Sequence, residues 1–383
     1  MMKKTYLLTP GPTAIPEQVV STFAQPIMHH RTPAFEALFE DVKTNLKYVF
    51  QTKQDVLMLA ATGTGAMDAA VCNLFKKGDK VITVNGGKFG DRWTKIAKVY
   101  GLKPIEILLD RGDSVEPAQL QKVVDENKDA KAILFQASET STGAQMPTQE
   151  ICQIAKKANM LSVCDAITAC GVFHLPMDEW GIDVLITGAQ KAMMIPPGLA
   201  FIALSDAAWK MSETSDLPRF YFNLAKERQA LAKKQTAWTP AISLIQGLQT
   251  SLNMIKAEGL ENVFKRHDLL ARATRAAVKA LGLEILAKKA PSTAVTSVRV
   301  PTTIAEGKKI PKLMREKYGV TITGGQDELE GKIFRLSHFG YVGMFDIITG
   351  ISCLEMVLKE LGHPVEFGTG VAAAMRTFTE NNK

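Results

Sequence analysis

The chain has 383 residues, of which 46% are hydrophobic and 22% are charged, and its formal net charge is +7. These values are typical of a globular protein with a large core and give no support to a disordered or coiled-coil chain. Because the 46 lysines and arginines are spread among 39 acidic residues without a basic block, nucleic-acid binding is disfavoured, and a cationic surface suited to small anionic substrates is expected.

The cysteine pattern and the start of the chain predict a cytoplasmic protein without a metal site. No CxxC pair occurs, and the apolar surroundings of the cysteines favour reduced, buried thiols over disulfides or zinc ligands. These residues are Cys72, Cys152, Cys164, Cys170 and Cys353. The apolar run before Pro10 is too short for a signal peptide. The uncharged stretch 235–255 contains a proline and several amides, so we expect no membrane span.

Short apolar runs alternate with amphipathic stretches over the first two thirds of the chain. The runs predict buried strands at 56–60, 81–84, 132–135, 161–164, 184–186 and 199–204. The amphipathic stretches, which include 66–76 and 148–159, predict helices between them. This alternation predicts an α/β fold with a large, doubly wound, mostly parallel sheet.

The pattern changes toward the C-terminus. A long helical pattern at 257–281 precedes predicted strands at 284–286, 297–300, 320–323 and 333–336 and a predicted helix at 346–361. These elements predict a smaller α+β domain. The predicted division is an N-terminal arm at 1–15, a large domain at 16–260 and a small domain at 261–383, packed together because no flexible linker is present.

A glycine-rich turn follows the first predicted strand of the large domain. The sequence TGTGAM at 62–67 combines glycines, which allow close backbone approach, with hydroxyls and a helix start that attract an anion. It matches neither a Walker loop nor the dinucleotide fingerprint, since Asp68 stands where the last glycine would be. The turn is a candidate phosphate site, and an ordinary strand-to-helix turn is the alternative.

Two further strand ends carry charged residues. Asp165 ends a predicted central strand and, if buried, needs a cationic partner such as a protonated pyridine nitrogen; capping of the next helix is the alternative. Lys191 lies in a loop of small residues after the next predicted strand, which makes it a candidate for a lowered pKa and imine chemistry, a solvated surface lysine being the alternative. Together with the glycine turn, these residues predict one cofactor that bears a phosphate, a ring nitrogen and an aldehyde.

With these three sites the sequence resembles the class V aminotransferases of the fold-type I pyridoxal 5′-phosphate (PLP) superfamily, in particular the alanine–glyoxylate, serine–pyruvate and serine–glyoxylate branch. The resemblance covers nearly the whole chain. Besides the residues above, it rests on the motifs PGPT at 10–13, HHRT at 29–32, NGGKFG at 85–90, ETSTG at 139–143, GAQK at 188–191, PPG at 196–198 and RLSHFG at 335–340.

The resemblance implies a PLP-dependent transaminase that moves an amino group from alanine or serine to glyoxylate or pyruvate by a ping-pong mechanism. It implies that Lys191 forms the Schiff base and shuttles the substrate proton, and that Asp165 pairs with the ring nitrogen. It further implies substrate binding by Gly11 and by Arg335, whose guanidinium suits the α-carboxylate. The remaining cofactor-binding residues that it implies are Thr64, Gly65, Ala66 and Gln190 at the phosphate, Phe89 on the ring, Thr140, Ile167 and, from the partner subunit of a homodimer, Thr239.

Some positions depart from the family pattern or remain open. Phe89 replaces the tryptophan, and Ala66 the histidine, of some members. His338 has two interpretations, a structural histidine or a polar group near the substrate. A cysteine desulfurase-like lyase of the same fold is the alternative function, although Cys353 lies in a helical apolar pattern rather than a reactive loop. A non-catalytic relative of the fold is less favoured, because Lys191, Asp165 and Arg335 are all present.

Overall fold

The computed structural model describes residues 4–380. The strands are β1 Tyr6–Leu7, β2 Val56–Leu59, β3 Lys80–Asn85, β4 Lys103–Leu108, β5 Ala132–Gln136, β6 Ser138–Glu139, β7 Ala144–Gln145, β8 Leu161–Asp165, β9 Val184–Gly188, β10 Ala200–Leu204, β11 Val295–Arg299, β12 Val320–Thr321, β13 Thr323–Gly324 and β14 Ile333–Ser337.

Most helices connect these strands, and the last two follow the final strand. The helices are α1 Glu17–Thr22, α2 Pro33–Phe50, α3 Gly63–Leu74, α4 Lys88–Val99, α5 Pro117–Glu126, α6 Thr148–Lys157, α7 Met177–Trp180, α8 Asp206–Ser212, α9 Leu224–Leu231, α10 Ile242–Glu258, α11 Leu260–Ala280, α12 Lys309–Tyr318, α13 Met344–Glu360 and α14 Thr369–Glu380, with a 3-10 turn at Asp327–Leu329. None of the helices within 4–380 is both long and apolar enough to cross a membrane.

A seven-stranded sheet with the order β2-β10-β9-β8-β5-β3-β4 forms the centre of the fold. Strands β9, β8, β5, β3 and β4 pair in parallel, and β10 runs antiparallel to both of its neighbours. Every residue of β5, β8, β9 and β10 is buried, which is typical of strands covered on both faces. The predicted α/β fold with a mostly parallel sheet is confirmed.

The C-terminal part contains a three-stranded antiparallel sheet with the order β11-β14-β13. It has its own apolar cluster, which includes Met314, Phe334 and Leu354, while a larger cluster surrounds the central sheet. Helix α11 contributes to both clusters, through Phe264 to the larger and Leu270 to the smaller one. The C-terminal sheet and its cluster fit the predicted small α+β domain, whose bounds stay a prediction. Of the predicted domain ranges, residues 1–3 and 381–383 lie outside the described part.

Several predicted elements need correction. The helical pattern at 257–281 is interrupted, because Gly259 has a φ of +83° and separates α10 from α11. The predicted strand at 284–286 is wrong, since only an isolated bridge joins Ile285 to Val298. The predicted strand at 320–323 is two short strands, of which β12 pairs with β1 and β13 with β14. Strand β4 was not predicted, because it lies at the sheet edge and contains exposed polar residues and Pro104.

Candidate active site

The loops after β2, β8 and β9 meet at one edge of the central sheet. A Cβ atom placed on Gly63 would lie 2.4 Å from Cδ1 of Ile167, so the loop after β2 touches the loop after β8. A Cβ atom placed on Gly188 would lie 3.5 Å from the backbone nitrogen of Gly63, so the end of β9 adjoins the same turn. The three chemically informative loops are therefore in contact.

Lys191 lies in the turn after β9 and is partly buried. Its Nζ donates a hydrogen bond to the carbonyl oxygen of Pro10, and Oγ1 of Thr13 donates to the Lys191 carbonyl oxygen at 2.9 Å. The backbone nitrogen of Thr13 also donates to the carbonyl oxygen of Gln190 at 3.1 Å. Burial lowers the pKa of the Lys191 amine from 10.5 to about 8, against the opposing influence of Asp165. The N-terminal segment thus holds an amine that can lose its proton near neutral pH.

Gly11 lies beside that amine. Its φ of +127° is in the region that favours glycine, and a Cβ atom on this residue would lie 2.1 Å from Nζ of Lys191. The predicted substrate-binding glycine and the predicted catalytic lysine are therefore adjacent, although they are far apart in sequence.

Asp165 is the last residue of β8, and its side chain is buried. Its Oδ1 accepts a hydrogen bond from the backbone nitrogen of Ile167 at 2.8 Å. Burial raises the pKa of this carboxyl from 3.8 to about 6, although the Ile167 hydrogen bond and the positive charges of Arg92 and Lys191 act in the opposite direction. The environment thus favours a cationic partner for the ionised form.

Arg335 lies on β14 and is buried. Its Nε donates to the carbonyl oxygen of Gly324 and its Nη1 to that of Thr140, both at 3.0 Å. A guanidinium has five N–H donors, so these contacts leave donors available for a ligand. Burial lowers the pKa of Arg335 to about 10, and the negative charge of Glu139 opposes that shift. The side-chain hydroxyl of Thr140 hydrogen-bonds that of Thr168 at 2.6 Å.

The predicted phosphate site is the first turn of α3. This turn has no side-chain cap and no acidic residue. Thr64 is exposed, Gly65 partly buried and Ala66 buried, and a Cβ atom on Gly65 would lie 3.0 Å from the Phe222 ring. The backbone nitrogens of Gly65 and Ala66 donate to the Thr62 carbonyl oxygen at 2.8 and 3.4 Å, and the positive end of the helix dipole lies at this turn. The geometry suits an anion.

Gln190 lies next to this turn. Its Oε1 would be 3.1 Å from a Cβ atom on Gly188, and within the described residues this buried atom has no hydrogen-bond partner. Since buried polar atoms are nearly always paired, a carboxamide in this state is expected to gain a partner when a ligand binds.

Phe89 is the second residue of α4, and its backbone nitrogen is bound by a buried acid. The carboxylate of Glu139 accepts hydrogen bonds from the backbone nitrogens of Phe89 at 3.2 Å, Gly90 at 3.0 Å and Ser141 at 3.1 Å, and one from the Ser141 hydroxyl. Glu139 thereby caps α4 from another element. Burial raises its pKa, although these hydrogen bonds favour the ionised form.

Two residues named from the sequence lie apart from this cluster. Thr239 is exposed in the segment before α10, next to Trp238 in the chain, and no side-chain hydrogen bond described within residues 4–380 joins it to Lys191 or Asp165. His338 is buried, hydrogen-bonds the Thr296 hydroxyl at 2.9 Å and has a pKa held well below 6.5 by burial. These contacts support the structural interpretation of His338.

Glu139, Arg92 and Thr168 are residues of this region to which the sequence alone gave no role. The position of Glu139 could have identified it as a candidate site residue, because it follows strand β5 closely. It also lies in a run of polar residues, 138–142, which is buried. Arg92 carries no such signal, since an arginine on an amphipathic helix normally lies on the solvated face.

The donor set at this edge fits the cofactor predicted from the sequence. The α3 turn suits a phosphate, the Asp165 carboxylate suits a protonated ring nitrogen, and the partly buried Lys191 amine suits an aldehyde. Arg335 has donors for a carboxylate. Within residues 4–380, no group of three or more histidine, cysteine or acidic side chains could hold a metal ion.

The chain matches one family model, described as Aminotransferase class-V, over residues 5–336. Among its relatives is a protein of Anabaena cylindrica named "Soluble hydrogenase 42 kDa subunit", which is 41% identical and aligns over 99% of this chain and 100% of that protein. An L-aspartate–glyoxylate aminotransferase of Paracoccus denitrificans is 33% identical over 99% of this chain and 98% of that protein.

Among solved structures, the ureidoglycine–glyoxylate aminotransferase of Bacillus subtilis is similar, with a TM-score of 0.94 and 25% identity over 99% of both chains. The sequence and fold comparisons agree over nearly the whole chain, and they confirm the predicted fold type and family. The chain belongs to the class V aminotransferase family.

Proposed function

We propose that this aminotransferase binds PLP at Lys191 and transfers an amino group from a small amino acid, alanine or serine, to glyoxylate or pyruvate in two half-reactions. The observation that carries the proposal is that Lys191, Asp165 and Arg335 lie close enough for both charges to act on the Lys191 amine. Asp165 raises the pKa of that amine and Arg335 lowers it. A proton acceptor, a partner for a cationic ring and a carboxylate-binding group are the components that such a transfer needs.

The residues that would hold the cofactor are those of the three loops. Thr64, Gly65, Ala66 and Gln190 would bind the phosphate, Asp165 the ring nitrogen, Phe89 one ring face and Lys191 the aldehyde, with Thr140 and Ile167 completing the contacts. When bound, PLP supplies an electron sink for the substrate α-carbon.

Lys191 would move the substrate proton. An amine with a pKa of about 8 exchanges its proton readily near neutral pH, which suits it to act in turn as base and acid. Arg335 would fix the α-carboxylate of the substrate and so orient the α-carbon toward that amine. Pro10 and Thr13, which hold Lys191 from the N-terminal segment, would keep the amine in position.

Two similar proteins, the L-aspartate–glyoxylate and the ureidoglycine–glyoxylate aminotransferase, support glyoxylate as an acceptor, since both are named for glyoxylate and each for a different donor. A lyase of the desulfurase type is less well supported. Cys353 is buried in α13, and burial raises the pKa of its thiol to about 12, so it does not resemble a reactive nucleophile.

The assembly and location are also part of the proposal. A homodimer in which Thr239 of one subunit completes the phosphate site of the other is supported by the exposure of Thr239. The arm, large domain and small domain at 1–15, 16–260 and 261–383 are supported by the two apolar clusters. The five buried, free cysteines support a reducing, cytoplasmic location.

The decisive experiment compares the full chain with its Lys191→Ala variant. The unmodified protein should show PLP absorbance near the visible range, which borohydride bleaches while it fixes the cofactor to Lys191. Lys191→Ala should fold and lose turnover, whereas the control Lys95→Ala, at an exposed site on α4, should retain both properties. Unchanged turnover in Lys191→Ala would contradict the proposal. A panel of amino donors against glyoxylate and pyruvate would then identify the substrates.

A further inference from the structure

Arg92 projects from α4 to the first turn of α3. Its Nη1 donates a hydrogen bond to Oγ1 of Thr64 at 2.9 Å. Its guanidinium carbon lies 4.9 Å from the centroid of the Phe89 ring, a distance typical of a cation–π contact. The charge of Arg92 is therefore held between two residues that the proposed function places at the cofactor.

No carboxylate within the described residues forms an ion pair with Arg92. The acids near α4 pair with other cations, because Asp91 pairs with Lys95 and Asp327 with Lys88 at 3.3 Å. A guanidinium that is partly buried and not neutralised by a protein carboxylate is well placed to attract an anionic ligand.

The turn that Arg92 faces is also electropositive. Helix α3 has 12 residues, no side-chain cap and no acidic residue in its first turn, so its N–H groups and dipole favour an anion. Ala66 adds no charge to this turn. Two positive features thus adjoin Thr64 without a protein anion between them, and an anion bound there would be stabilised by both.

The charge of Arg92 also acts on the chemical groups of the site. Burial is the main cause of the raised pKa of Asp165 and of the lowered pKa of Lys191, and Arg92 contributes a lowering of the pKa in both cases. Arg92 is thus electrostatically linked to the predicted ring-nitrogen and aldehyde partners as well as to Thr64.

We infer that Arg92 is a cofactor-binding residue whose guanidinium contacts the phosphate group beside Thr64, and that it makes the site select phosphorylated over unphosphorylated pyridoxal derivatives. This inference rests on the proposed function. Its residue comes from α4 and not from the glycine-rich turn, so the phosphate site is built from two helices. Selection follows because the unphosphorylated compound leaves the guanidinium without an anion.

Two ligands that differ only in the phosphate test the inference. Pyridoxamine 5′-phosphate and pyridoxamine bind without forming a bond to Lys191, so titration calorimetry on the full chain freed of cofactor reports the non-covalent contacts alone. Arg92→Gln should weaken binding of pyridoxamine 5′-phosphate by about tenfold or more, as for loss of a charged hydrogen bond, and leave pyridoxamine binding unchanged. Arg92→Lys keeps the charge but not the planar fork and should give a smaller loss.

Lys95→Gln is the matched control, because it removes a positive charge one turn away on the same helix, at an exposed side chain paired with Asp91. It should bind both ligands as the unmodified chain does. The inference is overturned if Arg92→Gln and Arg92→Lys bind both ligands more weakly by the same factor, or if they bind both as the unmodified chain does. Either result leaves the proposed function intact. If the unmodified chain binds neither ligand, the proposed function fails together with the inference.

Discussion

Gly11 and Lys191 are in direct contact, since a side-chain carbon on Gly11 would lie 2.1 Å from the lysine amine and 2.6 Å from Cε. Space at position 11 therefore determines where the amine can lie. The same backbone segment provides the Pro10 carbonyl oxygen that accepts a hydrogen bond from that amine. The N-terminal segment therefore borders the proposed active site.

Gly11→Ala should displace the Lys191 amine and reduce kcat by about 10²-fold or more, because a small misplacement of a reacting group is costly. Gly78→Ala is the control, since Gly78 also has a positive φ, +90°, but an added methyl group there would meet nothing within 4 Å. Both variants should lose some stability through backbone strain, on the order of 1 kcal/mol. Steady-state kinetics and thermal unfolding separate the two effects, and equal kcat losses in both variants would contradict the steric explanation.

Asp165→Asn should stabilise the cofactor-free chain above pH 6. The folded-state pKa of Asp165, about 6, exceeds the usual 3.8, so the folded chain binds the proton more tightly, and stability from this group is lost as the pH rises from 3.8 through 6. Removing the ionised form should therefore raise the free energy of unfolding above pH 6 by about 1–3 kcal/mol, with the difference vanishing below pH 3.8.

Urea unfolding at several pH values checks the Asp165 prediction. Turnover should fall by about 10²-fold or more in the same variant, because the ring nitrogen loses its anionic partner. Asp183→Asn is a useful contrast. The Asp183 carboxylate lies just before β9 and accepts hydrogen bonds from Ser162 and Ser205. Its replacement should therefore destabilise the chain. A less stable Asp165→Asn variant above pH 6 would show that burial is not the dominant influence.

Arg335→Lys should reduce kcat/KM for amino acid donors by about 10²-fold, because a lysine keeps the charge but cannot present two parallel donors to a carboxylate. The preference for an amino acid over the corresponding amine without a carboxylate should shrink by a similar factor. Arg275→Lys provides the control, since Arg275 is a partly buried arginine that likewise donates to a backbone carbonyl, that of Ser292 at 3.3 Å. An unaltered preference in Arg335→Lys would place the carboxylate elsewhere.

Glu139→Gln should lower the free energy of unfolding by about 2–3 kcal/mol, because an amide turns donors toward the N–H groups that the carboxylate accepts from. Those groups belong to Phe89, Gly90 and Ser141. Glu227→Gln is the matched variant: Glu227 is also buried, but its carboxylate accepts a hydrogen bond from Ala237 alone among the described contacts, so a small effect is expected.

Cofactor affinity is the second measurement for Glu139. If Glu139 positions Phe89, PLP should dissociate more readily from Glu139→Gln than from Glu227→Gln under conditions where both are folded. Similar PLP affinities in the two variants would limit Glu139 to a role in stability.

The sequence by itself determined the features that depend on residues close together in the chain, namely the buried strands, the glycine-rich turn and the charged residues at strand ends. The buried strands were recognisable because most of their positions are apolar, and the turn at 62–67 because glycines and hydroxyls precede a helix. Asp165 and Lys191 were identifiable because charged residues directly after buried strands lie at the ligand-binding edge of a parallel sheet. The resemblance of the motifs to a known family then assigned roles to residues such as Arg335.

The tertiary structure alone decided which distant residues meet. Strand order in the central sheet brings β8 beside β9, and no local pattern encodes that order. The contact of Gly11 with Lys191, the capping of α4 by Glu139 and the reach of Arg92 to Thr64 each join residues from separate elements. Such contacts depend on how whole helices and strands pack, so the spacing of residues along the chain carries no direct information about them. The sequence therefore specified the chemical groups, and packing specified their arrangement.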